Sequence, residues 1–224
     1  LFENCTFGNI SCPEVDSRGK VVYVRGGGNH SFSSVMWLHG GNAKGNIMNY
    51  FCGVYVEGFY GRLSFAHSLF DSNVGQDSPS IFTSFSTCRI YVDETIFRAN
   101  GSSRGAVYLS GSVVAVFSNC FFTGNYALEA AGAVQISVNC AVGENCSTTF
   151  FNCGFVGNTG INGGAVYIDG RASFEARLCR FTHNIAQKGG AVAGTGQLDV
   201  LVRDSLFVRN IASSGGGAVA NIGW

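Results

Sequence analysis

Apolar and polar positions alternate with period two over long stretches of this chain. Leu198, Val200 and Val202 stand on one side of a segment whose other side is Asp199, Leu201 and Arg203. Ile90 and Val92 before Phe97 repeat the pattern, as do Val113, Ala115 and Phe117 before Phe122. Successive side chains of a strand point to opposite faces, so this alternation predicts half-buried strands and argues against helices. Asn and Gly punctuate the segments as turn residues, giving two or three short strands between one turn cluster and the next.

The strands come in repeats. The anchor phrase reads Phe65-Ser68-Phe70-Asn73, Val92-Thr95-Phe97-Asn100, Phe117-Cys120-Phe122-Asn125, Phe150-Cys153-Phe155-Asn158, Ala176-Cys179-Phe181-Asn184 and Val202-Ser205-Phe207-Asn210. A partial copy, Phe2-Cys5-Phe7, opens the chain. Steps from Phe70 to Phe97, Phe122, Phe155, Phe181 and Phe207 are 27, 25, 33, 26 and 26 residues, and the long step holds an insertion around Cys140 to Cys146. From the Asn100 copy onward each anchor is followed by Gly-Ala-Val, at Gly105, Gly132, Gly164, Gly190 and Gly217. One such unit cannot bury its inner face alone, whereas stacked units close a continuous core. The fold expected is therefore all-β, a right-handed parallel β-helix of about eight to nine coils, roughly 40 Å long at the spacing of adjacent strands. It forms one continuous domain, with less regular coils over residues 1–62 and regular repeats over 63–224.

Stacking turns each repeated position into a column. Phe70, Phe97, Phe122, Phe155, Phe181 and Phe207 are expected to form a buried aromatic ladder, with ring contacts adding to area burial. Asn73, Asn100, Asn125, Asn158, Asn184 and Asn210 form a second column, where Asn is expected both to adopt the left-handed backbone of a turn and to bond the Asn one coil away. Cys5, Cys120, Cys153 and Cys179 share a column with Ser68, Thr95 and Ser205, expected as an internal ladder of small, mildly apolar residues in which Cys120 and Cys153 stay reduced. In-register strands hold Cβ atoms nearly 5 Å apart, beyond the span of a disulfide.

The Phe-x-x-Asn phrase followed by Gly-Gly-Ala-Val resembles the repeats of chlamydial polymorphic outer-membrane proteins, within the pectate-lyase-like superfamily of parallel β-helices. The resemblance covers residues 63 to 224 well and residues 1 to 62 in part. It implies a surface-exposed, adhesin-like β-helix whose repeats are structural, and it brings no catalytic residues.

Composition sharpens the picture. Apolar residues make up 46% of the 224 residues and charged ones 12%, with 14 Lys and Arg against 14 Asp and Glu. A clustered-cation surface for nucleic acid or anionic membrane is not expected, nor is a membrane-spanning helix. Nine cysteines without a Cys-x-x-Cys pair argue against zinc. Cys140 and Cys146, alone within the insertion, are expected to bond to each other. Sequons at Asn4, Asn9, Asn29, Asn100 and Asn145 mark candidate N-glycan acceptors. Cysteines and sequons together favour an oxidising extracellular or cell-surface location.

Parallel β-helices also house polysaccharide lyases and hydrolases, which need clustered carboxylates on one outer face. Here Asp93 and Glu94 are adjacent in sequence, so on a strand they point apart, and the register sets Ala66, Ser118, His67 and Asn119 around them. His30, His39, His67 and His183 fall in unrelated columns. Gly26-Gly27-Gly28 lacks the Lys-Ser/Thr of a phosphate loop and is expected to be a turn. Arg177 and Arg203 share a column, expected as solvated cations. No cofactor is implied. The leading reading is a non-enzymatic extracellular structural β-helix, a segment or protomer of a surface or secreted filament. An adhesin or glycan-binding surface and a polysaccharide-active enzyme are the alternatives, the former favoured by an exposed aromatic row, the latter by a carboxylate cluster in a groove. The chain opens at Leu1 within an anchor phrase and closes just after Gly217-Ala218-Val219, where another coil is due, so a longer rod or head-to-tail self-association is expected.

Overall fold

The computed structural model describes residues 2–3, 6–8, 22–33, 36–38, 53–75, 80–140 and 146–222. All secondary structure in them is β. Long strands stack in parallel in one 11-stranded sheet: Phe2–Glu3, Val22–Ser33, Val54–Ala66, Ile81–Ser84 with Ser86–Asp93, Val107–Ser118, Val134–Asn139 with Ser147–Phe151, Val166–Arg177, Val192–Arg203 and Val219–Asn221. Three-residue strands form a second, 8-stranded parallel sheet running from Thr6–Gly8 through Leu69–Asp71 and Phe121–Thr123 to Leu206–Val208. Two small two-stranded sheets lie beyond the short strands.

The chain is thus a parallel β-helix. Six complete turns are regular, opened by strands that begin at Val54, Ile81, Val107, Val134, Val166 and Val192, which is fewer than the eight to nine expected from the repeat. Two earlier levels and the strand Val219–Asn221 extend the stack without the full pattern. The regular body is therefore about 30 Å long at strand spacing. The expected boundary at residue 62 falls inside Val54–Ala66, which pairs with its neighbours on both sides of that point.

Each long strand bends in its middle, where Gly111, Gly170 and Gly196 hold φ of 104°, 104° and 100°. A Cβ on Gly196 would stand 2.2 Å from the Gly170 carbonyl oxygen, so the bend column tolerates no side chain there. The bend divides the long sheet into two faces, and the short strands make a third. Gly-Ala-Val repeats for a related reason: a Cβ on Gly164 would meet the Gly190 oxygen at 2.2 Å, and one on Gly190 the Gly217 oxygen at 2.2 Å. The Ala that follows is fully buried at Ala106, Ala133, Ala165 and Ala191 and half-buried at Ala218, and the Val begins the next long strand.

Two further corners flank each short strand from Leu69–Asp71 onward, both left-handed. His67, Glu94, Asn119, Asn152, Leu178 and Asp204 have φ from 44° to 55° before it. Ser72, Ala99, Gly124, Gly157, His183 and Arg209 have φ from 51° to 63° after it. The ladder Asn of each coil comes one residue later and is not left-handed, which corrects the expectation from sequence. Gly26-Gly27-Gly28 likewise lies within the strand Val22–Ser33 and not in a turn. There the Tyr60 ring of the next coil occupies the space that a Cβ on Gly27 would take.

The core fills the triangle between the faces. Val54, Ile81, Val107, Val134, Val166 and Val192 are register partners and buried to within 2%. Phe70, Phe97, Phe122, Phe155, Phe181 and Phe207 stack with centroid separations of 4.9, 4.7, 4.8, 4.6 and 4.7 Å and nearly parallel planes. Phe65, Phe117 and Phe150 of the long strands meet this ladder edge-on. At the far end, Val200 and Val202 hold the register positions of Phe174 and Ala176, yet are 45% and 37% exposed. No described strand pairs with that half of Val192–Arg203 on its outer side.

Candidate functional site

Interior polar groups come first, because the fold decides what they are free to do. Asn73, Asn100, Asn125, Asn158 and Asn184 are buried to 2% or less, and Asn210 is half-buried. Each amide oxygen from Asn100 onward accepts from both the backbone N–H and the side-chain Nδ2 of the Asn one coil earlier, as between Asn100 and Asn125 at 3.0 and 2.9 Å. From Asn100 on, Nδ2 also donates to the carbonyl of the ladder Phe in the preceding coil, such as Asn125 to Phe97 at 2.9 Å. This corrects the reading of Asn100 as a glycan acceptor: its Nδ2, the atom a glycan would occupy, is buried and donates to Phe70 and Asn125. Asn29 is exposed on the strand Val22–Ser33, while Asn4, Asn9 and Asn145 lie outside the described residues.

Cys120, Cys153 and Cys179 are free, buried thiols in the column of Ser68, Thr95 and Ser205. They are more than small apolar fillers. At each of the six described anchors the thiol or hydroxyl donates to the carbonyl two residues earlier, across the left-handed corner: Ser68 to Ala66 at 2.9 Å, Cys120 to Ser118 at 3.2 Å, Cys153 to Phe151 at 3.3 Å, Ser205 to Arg203 at 2.8 Å. Cys153 holding its proton toward Cys120, together with burial, raises its pKa, and Cys179 holding its proton toward Cys153, with burial, does the same there. Burial alone pushes the Cys88 thiol up to about 12. Raised values make these thiols inert, not nucleophilic. Cys140 and Cys146 are disulfide-bonded, with Cα atoms 5.9 Å apart. They close the insertion, seven residues standing where the next coil has Ala172 alone between Arg171 and Ser173. Cys5, Cys12, Cys52 and His39 lie outside the described residues.

The acids do not converge. Asp93 accepts from Asn119 Nδ2 at 3.0 Å, and Asn152 continues this outer row by donating to Asn119 at 2.8 Å. Glu94 faces His67 Nδ1 at 2.9 Å in the neighbouring coil. Asp71 receives Arg98 through both oxygens. No group of three His, Cys, Asp or Glu that could hold a metal ion occurs among the described residues. An outer aromatic row exists, Tyr23, Tyr55, Phe82 and Tyr108 stacked at 5.7, 5.2 and 4.8 Å. Its middle members are only 3% and 6% exposed, so most of the row is packing and not open surface.

One concavity stands out on the second outer face, a groove of about 750 Å³. Asn29, Arg62, Arg89, Val114 and Ser147 line it and are register partners on five consecutive levels, so it runs along the helix axis. Cys146 forms part of one wall, which ties the groove to the disulfide-closed insertion. Arg62 lies with its guanidinium carbon 4.1 Å above the Tyr91 ring, and its Nε points at Ser64 Oγ at 3.4 Å. Alternation predicts that these side chains face outward, but the concavity forms where the strands bend and where Cys146 stands beside them, which period two does not encode. Comparison with protein-family models, with curated proteins and with solved structures finds no match.

Proposed function

We propose that this chain is a non-enzymatic structural β-helix of a cell-surface or secreted assembly, a rigid segment of a longer rod. The observation that carries the reading is the Asn ladder. Its buried amides are committed from coil to coil, and the thiol–hydroxyl column and the stacked Phe rings run beside it over all six regular turns. Such columns stiffen an axis and commit the amides, thiols and hydroxyls of the ladders to coil-to-coil contacts. The likeness of the anchor phrases to surface-protein repeats supports the same reading, as do the remaining sequons and the disulfide. A further parallel coil on Val192–Arg203, from the same chain or from a second copy stacked head to tail, would bury Val200 and Val202.

Negative-stain microscopy and sedimentation of native material test this. Rods extended along one axis well beyond the six turns support it. Compact single-chain particles that cleave a polysaccharide overturn it.

A further inference from the structure

Two cations share the axial groove. Arg62 and Arg89 are direct register partners, so two cations stand about one strand spacing, ~4.8 Å, apart on the same face. Like charges opposite one another across a strand pair are destabilising. Among the described residues neither guanidinium meets a carboxylate: the ion pairs are His67–Glu94 and Arg98–Asp71, both elsewhere. Among the described residues that line the groove there is no acid. Arg177 and Arg203 repeat the like-charge pairing outside this groove.

The groove is also shaped for a chain. It follows one column over five levels, about 19 Å at strand spacing. Its polar lining includes the hydroxyl residues Thr87, Ser112 and Ser147 and the amide of Asn29 beside the two arginines. The strands beneath run across the groove with their backbone groups already paired to neighbouring coils, so a peptide has no free strand edge to extend. An extended saccharide needs no such edge. Tyr91 and Ser64 hold the Arg62 fork in place, which favours the planar, two-point recognition of an anionic group.

We propose that this groove binds an acidic saccharide chain, a carboxylate or sulfate of the chain seated between Arg62 and Arg89. The anion relieves the repulsion between the two guanidinium groups, and the flanking hydroxyls and Asn29 take the sugar hydroxyls along the axis.

Calorimetric titration of the intact chain tests this with four probes of equal length: a uronate oligosaccharide, a sulfated oligosaccharide, a neutral oligosaccharide and a poly-glutamate peptide. Binding by the uronate or the sulfated probe is expected, weakened by salt as the Debye length shrinks; which of the two binds identifies the anion. Arg62→Gln and Arg89→Gln should each weaken it about tenfold, while Arg180→Gln on the short-strand face leaves it unchanged. Because each groove variant removes half of a like-charge pair, its melting temperature should equal or exceed that of the parent, separating lost recognition from lost fold. The proposal is overturned by equal binding of the neutral probe, by peptide binding as tight as that of the saccharide, by Arg89→Gln that binds like the parent, or by no binding of either acidic saccharide.

Discussion

Replacing Asn125 by Ala removes a central member of the Asn ladder, and the contacts fix what is lost. Asn125 Oδ1 accepts from the Asn100 N–H at 3.0 Å and from Asn100 Nδ2 at 2.9 Å. Asn125 Nδ2 donates to the Phe97 carbonyl at 2.9 Å and to Asn158 Oδ1 at 3.0 Å. Its backbone N–H keeps Asn158 Oδ1 at 3.1 Å, so the next coil loses only part of its contacts. At about 1 kcal/mol net per bond the loss is about 4 kcal/mol, rising to about 6 kcal/mol because the Asn100 N–H is left without an acceptor in a buried site. That is a large fraction of the roughly 5–15 kcal/mol that holds a domain folded. Asn210→Ala should cost only about 1–2 kcal/mol, because Asn210 is half-buried and water can reach the donors of Asn184. Asn125→Asp adds a test of sign. The new oxygen faces two acceptors, Phe97 O and Asn158 Oδ1, so burial and repulsion raise its folded pKa above the ordinary ~3.9. Its destabilisation therefore grows as pH rises from about 4 through that raised value, and is smallest in acid, where the protonated carboxyl donates. Urea unfolding followed by circular dichroism from pH 3 to 7, with hydrogen exchange at the Asn100 amide, measures all three variants. The reasoning fails if Asn125→Ala lies within about 1 kcal/mol of the parent, if Asn210→Ala costs as much, or if Asn125→Asp shows no pH dependence.

Three further outcomes follow from the same geometry. Leu178 holds φ of 55° at the corner where other coils have Asn119 and Asn152, so Leu178→Asn should remove about 1 kcal/mol of strain and raise the melting temperature by roughly 2–4 °C; a fall in thermal scans would contradict this. Buried thiols with raised pKa favour the folded state below the unfolded value of about 8.5, and that stability is lost as pH rises toward the folded value, which for Cys88 is about 12. Cys88→Ala should therefore flatten the alkaline decline by about 1.4 kcal/mol per pH unit, and parallel curves for parent and variant would refute the assignment. In protein made by a glycosylating host, peptide mapping of the folded material should find Asn100 unmodified, and a folded glycoform at Asn100 would mean that the ladder is wrong at that rung.

Much of this fold was legible in the sequence, and the reason is periodicity. The repeated Phe and Asn positions carry register directly, because in a stack of parallel strands each repeated residue has the same neighbour above and below. Gly-Ala-Val was legible as a repeat, but its cause, a backbone oxygen 2.2 Å from where a Cβ would sit, appears only once coils are stacked. The corners were read one residue too late. Asn is the residue type that most readily turns left-handed, so the repeated Asn drew the assignment, whereas the positions that take φ > 0 carry Ser, Ala, His and Arg as well as Gly and leave no common signature.

That misreading has a physical origin which also separates scaffold from site. A residue selected for a coil-to-coil hydrogen bond must recur identically, since each rung supplies both donor and acceptor to the next. A residue that only tolerates a strained corner need not recur, because its neighbours press the backbone into shape whatever the side chain. The outer faces follow the second logic: Arg62 and Arg89 are succeeded in their column by Val114, Ser147, Ser173 and Asp199, with no repeat to advertise them. In a β-helix the repeating columns therefore specify the rod, and chemistry specific to one segment has to be sought where the repeat is broken. Here the two breaks, the paired arginines and the disulfide-closed insertion at Cys140–Cys146, meet at a single groove.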